Sequence, residues 1–174
     1  MRAQDERQYV EYVTARLPDL RRLAGSLCKD AHRADDVVQN AITKLYVHWR
    51  RARGADNLDA YVRTIVVRTF LNDQRLRWSR VRLTDELTEL PADQPREVET
   101  RLVIADALQR LPPKLRAVLV LRFLYDLSVR EAAATLGCSE NTVKSQTARG
   151  LAVLRQSLGD RVDLRPQAGK GVAQ

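Results

Sequence analysis

The sequence predicts an all-α protein of two small helical domains joined by an acidic flexible linker. Three observations support this fold class. The chain of 174 residues has only 7 Gly and 6 Pro and is rich in Arg, Ala and Leu. Apolar residues recur at three- and four-residue spacing over most of the chain, which is the mark of amphipathic helices. Between residues 79 and 100 this periodicity weakens, and two prolines appear among many acidic residues, which is typical of a linker.

The first domain is predicted to span residues 5–78 and to contain successive helices. Their apolar stripes are Leu17, Leu20, Leu23, Ala24 and Leu27, then Val38, Ala41, Ile42, Leu45 and Trp49, then Tyr61, Val62, Ile65, Val66, Thr69 and Phe70. Asp35 and Asp36 are expected in the first turn of the second helix, where the helix dipole favours anions. Gly54, Asp56 and Asn57 predict a loop before the third stripe.

Charge is distributed unevenly along the chain. Residues 44–82 contain ten basic and three acidic residues, a net of +7, whereas residues 84–99 contain one basic and six acidic residues, a net of −5. The whole chain has a formal net charge of +8 and a pI of about 10.0. A charge this large favours a polyanionic partner, either nucleic acid or an anionic membrane. Composition alone does not distinguish the two.

The second domain is predicted over residues 101–158, with helices at 101–111, 113–125, 129–136 and 139–156. Pro113 is well placed at a helix start. Ser128 followed by Glu131 predicts a capping box. The remaining residues, 159–174, have no periodicity and are expected to be disordered.

The last two predicted helices have the pattern of a helix-turn-helix. A short helix (129–136) is followed by Gly137, which permits a tight turn, and by a longer helix from Ser139. Ala132 and Ala133 are small enough to let the helices cross closely. The inward stripe of the second helix is Val143, Thr147, Leu151 and Leu154.

This stripe leaves a polar front end on the second helix. In DNA-binding versions of the motif, this end enters the major groove. There Glu accepts from cytosine, Asn pairs with adenine, and cations contact guanine or phosphate. The expected DNA-reading set is Ser139, Glu140, Asn141, Thr142, Lys144, Ser145 and Arg149.

An enzyme has no support from motifs. The sequence has neither a Gly-rich phosphate loop nor a nucleophile–base pair, and it has only two histidines. No catalytic residues and no cofactor are therefore expected. Cys28 and His32 have the spacing of half a metal site, but no second pair completes it, so no metal is expected. The N-terminus lacks a secretory signal and no apolar run approaches a membrane span, which predicts a cytoplasmic protein with reduced thiols.

Three longer stretches carry a family resemblance. "AHRADDVVQNAITKLYVHW" and "DAYVRTIVVRTFLNDQRLRW" resemble region 2 of bacterial sigma factors, and "LPPKLRAVLVLRFLYDLSVREAAATLGCSENTVKSQTARGLAVLR" resembles their region 4. Two regions with a short linker and no intervening domain are the layout of the extracytoplasmic-function (ECF) group, group IV of the sigma-70 family. "VLVLRFLYDLS" and "TVKSQTARGLAVLR" look most like its SigE-like actinobacterial branch. The resemblance covers about residues 8–156.

The resemblance implies a subunit of RNA polymerase that directs promoter recognition, DNA opening and initiation. In such proteins, the motif formed here by Asp35, Asp36, Val38 and Gln39 docks on the clamp helices of the β′ subunit. The −10 element would be read by the helix carrying Arg63, Arg68, Asn72, Arg75, Arg77 and Trp78. The family usually has Asn at the position of Arg68, and often Glu at that of Asn40. The acidic linker would thread toward the active-site cleft.

Region 4 would bind the −35 element and the β flap. Leu115, Val118, Leu119 and Phe123 are expected in the core rather than at the flap. A stand-alone helix-turn-helix regulator of duplex DNA is the alternative, but it leaves "DDVVQ", the arginine-rich helix and the acidic linker without a role. Anti-sigma control is common in the group, and this sequence carries no feature that shows such a partner. The sequence also does not say whether the two domains pack together in the free protein.

Overall fold

The computed structural model describes residues 3–81 and 99–158, with side chains described over 3–77 and 103–158. Throughout this part of the chain the regular structure is helical, so the all-α prediction is confirmed there. The helices are α1 (Ala3–Leu27), α2 (Ala31–Val47), α3 (Trp49–Ala52), α4 (Leu58–Val81), α5 (Glu99–Arg110), α6 (Pro113–Leu119) with a π-helical turn (Val120–Leu124), α7 (Val129–Leu136) and α8 (Glu140–Leu158). Most of the predicted linker, and the predicted disordered tail, lie outside the described residues.

Helix α2 begins earlier than its apolar stripe predicts. Asp30 is the N-cap, and its carboxylate accepts a hydrogen bond from the His32 N–H at 2.8 Å. This cap satisfies one of the free amides at the helix start. Asp35 and Asp36 therefore lie in the second turn, and the expectation that they occupy the first turn was wrong. Their favourable interaction with the helix dipole is correspondingly weak, since it falls off within one turn.

The predicted helix over 113–125 changes type partway. After Leu119 the chain continues as a π-helical turn, in which the Tyr125 N–H donates to the Val120 carbonyl at 3.2 Å. This turn shifts the angular spacing of side chains away from the α-helical register on which the stripe prediction depends. Phe123 is consequently 37% exposed, which corrects its expected place in the core, whereas Leu115 is buried as expected.

One hydrophobic core cluster contains side chains from both halves of the chain. The first half contributes residues of α1, α2, α3 and α4, among them Leu27, Leu45, Trp49, Val62 and Phe70. The second half contributes Ala117, Val118, Val120, Leu121, Leu127, Ala132, Ala133 and Val143. A smaller cluster joins α5, α6 and α8 within the second half. The two halves therefore share a core, and α7 packs against α4.

Arg116 is a charged residue inside this shared interior, where it is 5% exposed. Its guanidinium donates to the carbonyls of Leu108, Gln109 and Leu111 at 2.7–2.9 Å, and to the Leu27 carbonyl at 2.5 Å. Burial lowers the pKa of this side chain. A buried charge is stable only when it is hydrogen-bonded, and four carbonyls accept from this guanidinium. Arg116 thereby joins the α5–α6 corner to the end of α1.

Gly150 of α8 packs closely against Leu119 of α6. A Cβ at this position would lie 3.1 Å from both Cγ and Cδ1 of Leu119, whereas a Cβ at Gly25 in α1 would meet nothing within 4 Å. We predict that Gly150→Val lowers the free energy of unfolding by about 1–3 kcal/mol, because a packed helix contact must shift. Gly25→Ala should instead raise it, by up to about 1 kcal/mol, through helix propensity. Urea unfolding followed by circular dichroism measures both, and equal effects would contradict the packing.

Candidate nucleic-acid interface

The helix-turn-helix has the predicted geometry. The Ser128 hydroxyl accepts from the Glu131 N–H at 3.1 Å, and the Glu131 carboxylate accepts from the Ser128 N–H at 2.7 Å, so the capping box is confirmed. The pKa of the Glu131 carboxyl is lowered, first by a hydrogen bond with the Ser128 side chain and then by the one from the Ser128 backbone N–H. Gly137 ends α7 with φ of +70°, a left-handed conformation that glycine adopts readily. The turn therefore sets the direction of α8.

The N-terminus of α8 is capped by neighbouring hydroxyl side chains. The Ser139 hydroxyl accepts from the Thr142 N–H at 3.1 Å and lies 2.8 Å from the Thr142 hydroxyl. The Ser145 hydroxyl donates to the Thr142 carbonyl at 3.0 Å. Since these hydroxyls are already engaged locally, their first role in the free protein is to hold the helix start.

The longer polar side chains of this helix face solvent. Glu140, Asn141, Lys144 and Arg149 are all exposed, while Val143 and Leu154 are buried beneath them. Within the described part of the chain, none of these four makes a side-chain hydrogen bond or ion pair. A row of unpaired donors and acceptors at a helix N-terminus is what major-groove readout needs.

The acidic face of α2 is only partly as predicted. Asp36 and Gln39 are exposed, and Asp35 is exposed with an ion pair to Arg21 at 3.3 Å. Val38, by contrast, is 2% exposed and lies in the core. Its assignment to a polymerase-binding surface is corrected for this reason, since a side chain enclosed in the core has no surface to offer a partner.

The basic face of α4 is divided between solvent and the second half of the chain. Asn72, Arg75 and Arg77 are exposed. Arg63 instead lies over the Tyr125 ring, 5.9 Å from its centroid. Arg68 donates from Nε to the Thr135 carbonyl and from Nη2 to the Ala134 carbonyl, both at 3.2 Å. The side chain of Trp78 lies outside the described residues.

Sequence reasoning missed the side chains that join the halves. Gln109 Nε2 donates to the Ser26 carbonyl at 3.1 Å, and Arg116 reaches the adjacent Leu27 carbonyl. A signal for Arg116 was present, because it interrupts the apolar run of "LRAVLVL" with a charge. Gln109 and Tyr125 gave no comparable signal, since both fit an ordinary helix surface.

The described ranges 3–81 and 99–158 hold neither a metal-binding cluster nor a membrane-spanning helix. No group of three or more His, Cys, Asp or Glu side chains there is arranged to hold a metal ion. Within the same ranges, no helix combines the length and apolar character needed to cross a bilayer. Cys28 and Cys138 are free thiols, and burial raises the pKa of Cys28 to about 11.

A helix-turn-helix with an open reading face, packed on a helical domain with a basic helix, defines a DNA-binding transcription protein. Residues 12–80 match the family Sigma-70 region 2, and residues 101–154 match Sigma-70, region 4. The chain therefore belongs to the sigma-70 family and is an ECF sigma factor. Proteins of this kind bind core RNA polymerase and promoter DNA. The alternative of a stand-alone regulator is set aside.

Named relatives agree with this assignment. The chain is 37% identical over 157 residues to the RNA polymerase sigma-E factor of Streptomyces coelicolor, covering 87% of this chain and 86% of that protein. It is 34% identical over 144 residues to the ECF sigma factor SigM of Mycobacterium tuberculosis, covering 80% and 71%. The sigma factor RpoE from Bartonella quintana, solved with the anti-sigma factor NepR, aligns with a TM-score of 0.72 and 26% identity, covering 89% and 99%.

We predict that Ser128→Ala lowers the free energy of unfolding by about 1 kcal/mol at neutral pH, because a capping hydroxyl is lost. The pKa of Glu131 in the folded protein is lowered from its ordinary 4.5. The stability that its carboxylate contributes is therefore present above pH 4.5 and is lost as the pH falls through the lowered pKa. The loss of unfolding free energy caused by Ser128→Ala should therefore be smaller at acid pH. Urea titrations at neutral and acid pH measure it, with Ser157→Ala on the far end of α8 as control. A deficit that is independent of pH would contradict the coupling.

Proposed function

We propose that the N-terminal part of α8 reads the −35 element of the promoter. The observation that carries this proposal is the exposed row of Glu140, Asn141, Lys144 and Arg149, whose side chains make no hydrogen bond or ion pair with any residue that the structure describes. Glu140 and Asn141 have the chemistry to contact base edges, while Lys144 and Arg149 have the charge to contact phosphates or guanine. Ser139, Thr142 and Ser145 belong to the same surface and also stabilise the helix start. Contacts to phosphate would position the helix, and contacts to bases would specify the sequence.

We further propose that the outer face of α4 contacts the −10 element during promoter opening. Unpaired bases are held by cations along the strand and by rings on which they stack. Arg63, Arg68, Asn72, Arg75 and Arg77 would supply the cations and a polar group, and Trp78, later in the same helix, is the proposed ring. In the free protein, Arg63 and Arg68 are engaged by the second half of the chain, so their promoter contacts require a rearrangement.

Core polymerase binding is assigned to the exposed polar face of α2. Asp35, Asp36 and Gln39 form this surface, and the clamp helices of the β′ subunit are its proposed target. Asp36 is exposed and has no ion pair within the described chain, so its carboxylate is available to a basic partner. Asp35 would exchange its intramolecular pair with Arg21 for an intermolecular one.

The proposed organisation is region 2 at 5–78, an acidic linker at 79–100, region 4 at 101–158 and a tail at 159–174. The linker would follow the positively charged path toward the active-site cleft, and region 4 would contact the β flap. Nucleotide synthesis belongs to the polymerase, so this subunit needs no catalytic residue and no cofactor. Its site of action is the cytoplasm. An anti-sigma factor is a proposed further partner, supported by the solved relative bound to NepR.

Run-off transcription tests the whole proposal. Purified core polymerase, the full-length chain and pooled genomic fragments are combined, and the transcripts are mapped. Transcripts that depend on the added chain support the proposed promoter function and supply the −35 and −10 elements together. Sequence-specific duplex binding by the chain without any dependent transcript would contradict it.

We predict that Glu140→Ala combined with Asn141→Ala changes the preferred −35 bases while leaving affinity for core polymerase unchanged. The loss of each base contact should reduce the free-energy difference between the preferred base and the wrong base by about 1–3 kcal/mol. Transcription from a library of −35 variants measures the preference. Gln156→Ala with Ser157→Ala, at the opposite end of α8, is the matched control. Equal loss of core binding and promoter preference would remove these residues from the reading surface.

Asp36→Arg is predicted to weaken binding to core polymerase by on the order of 1–3 kcal/mol, because a like charge would face a basic partner. Titration of labelled protein with core enzyme measures the change. Glu11→Arg, an equal charge reversal at an exposed position on α1, should leave the affinity unchanged. An unaltered titration for Asp36→Arg would exclude this residue from the interface.

A further inference from the structure

A cavity of about 380 Å³ opens where the end of α1 and the start of α2 meet α4 and the α5–α6 corner. This volume lies within the range of about 300–1,000 Å³ that small-molecule sites occupy. The polar residues that line it are Lys29, Arg33, Gln74, Gln109, Arg110 and Arg116. None of them belongs to the surfaces assigned above to the −35 element, the −10 element or core polymerase. We call this feature the basic cavity.

The charged residues that line the basic cavity are all of one sign. Four of the described lining residues are cations, and none of them is acidic. Among the neighbouring carboxylates, Asp30 is engaged as the N-cap of α2, and Asp106 forms an ion pair with Arg110 at 2.8 Å. Asp73 lies on α4 but does not line the cavity. A cleft lined by one sign of charge concentrates ions of the opposite sign, so this cavity attracts anions.

Two of these cations are available to a ligand. The side chains of Lys29 and Arg33 make no hydrogen bond or ion pair with any residue that the structure describes. Lys29 is exposed and Arg33 is half-buried, so each reaches a ligand without breaking an existing bond. An ammonium and a guanidinium together supply the charge-assisted hydrogen bonds that bind phosphate groups in proteins.

Arg116 is the most enclosed cation of the cavity, with 5% exposure. A guanidinium has five N–H groups, and four of those of Arg116 donate to backbone carbonyls. The remaining hydrogen, on Nη1, has no acceptor among the described residues. Leaving a donor of a buried charged group without an acceptor costs free energy. Because Arg116 lines the cavity, an oxygen of a bound anion is a suitable acceptor for this hydrogen.

We propose that the basic cavity binds a small phosphorylated molecule through a terminal phosphate or pyrophosphate group. A terminal phosphate carries close to two negative charges at neutral pH and several acceptor oxygens, which suits several cations better than the single charge of a carboxylate does. A nucleic-acid backbone carries one charge per phosphate, and the convex surface of a duplex does not reach a guanidinium as enclosed as that of Arg116. The inference does not rest on the proposed promoter contacts.

Calorimetric titration of the full-length chain with pyrophosphate, ADP and ribose 5-phosphate tests the proposal, with sodium acetate at equal ionic strength as the control anion. The test variant is Lys29→Ala with Arg33→Ala, which removes two cations without breaking a bond of the free protein. The matched control is Arg7→Ala with Arg155→Ala. Both control positions are exposed and neither lines the cavity, while the net charge of the chain falls equally in the two variants.

We expect saturable binding of at least one phosphorylated probe to the parent chain, and none of acetate. The test variant should weaken that binding by about tenfold or more, whereas the control should change it by less than about twofold, because charge-assisted hydrogen bonds are lost only in the test variant. Cooperative unfolding followed by circular dichroism verifies folding, and Lys29→Gln with Arg33→Gln replaces the test variant if it fails this check.

Three results would overturn the proposal. The first is an absence of saturable binding to the parent, and the second is equal weakening in the test and control variants. The third is a DNA duplex of random sequence that displaces the probe from the parent and loses affinity only in the test variant, since the cations would then serve backbone phosphates. The titration contains no polymerase, so its result is independent of the promoter function.

Discussion

The buried guanidinium of Arg116 is the interaction on which the arrangement of the two halves depends. A charge with so little exposure is stable only if its donors are matched, and here they reach four carbonyls from two parts of the fold. Three of these carbonyls belong to the α5–α6 corner, and the fourth ends α1. Because the donors of a guanidinium have fixed directions, bonding to these four carbonyls also fixes the position of α1 relative to α6.

This constraint explains why the two halves of the chain have one shared core. With α1 held against α6, α7 lies on α4, and apolar side chains from both halves fill the space between them. Arg68 then meets the end of α7, where its charge is favourable. The polar face of α8 stays exposed, whereas Arg63 and Arg68 of α4 are covered by the second half. The same packing that stabilises the free protein therefore determines which polar side chains of the two helices are accessible.

Interactions between residues that are close in the sequence predicted much of the fold and part of the candidate site. The capping box of Ser128 and Glu131 and the left-handed Gly137 depend only on neighbouring residues, and the structure has both as expected. Val38 was placed on a binding surface because it lies within a motif, although its apolar side chain belongs to the buried stripe of α2. Phe123 was misplaced because a π-helical turn changes side-chain direction, and hydrophobic periodicity does not encode that turn.

The sequence by itself determined the helical class, the helix-turn-helix with its polar reading face, and the sigma-factor family, because these follow from periodicity, capping and motifs that are local in the chain. Only the tertiary structure decided that the two halves pack together and that Arg63 and Arg68 face the second half. The physical reason is distance along the chain. Arg68 meets carbonyls more than sixty residues away, and Arg116 meets one nearly ninety residues away. Such pairings depend on how helices dock, which no local pattern specifies.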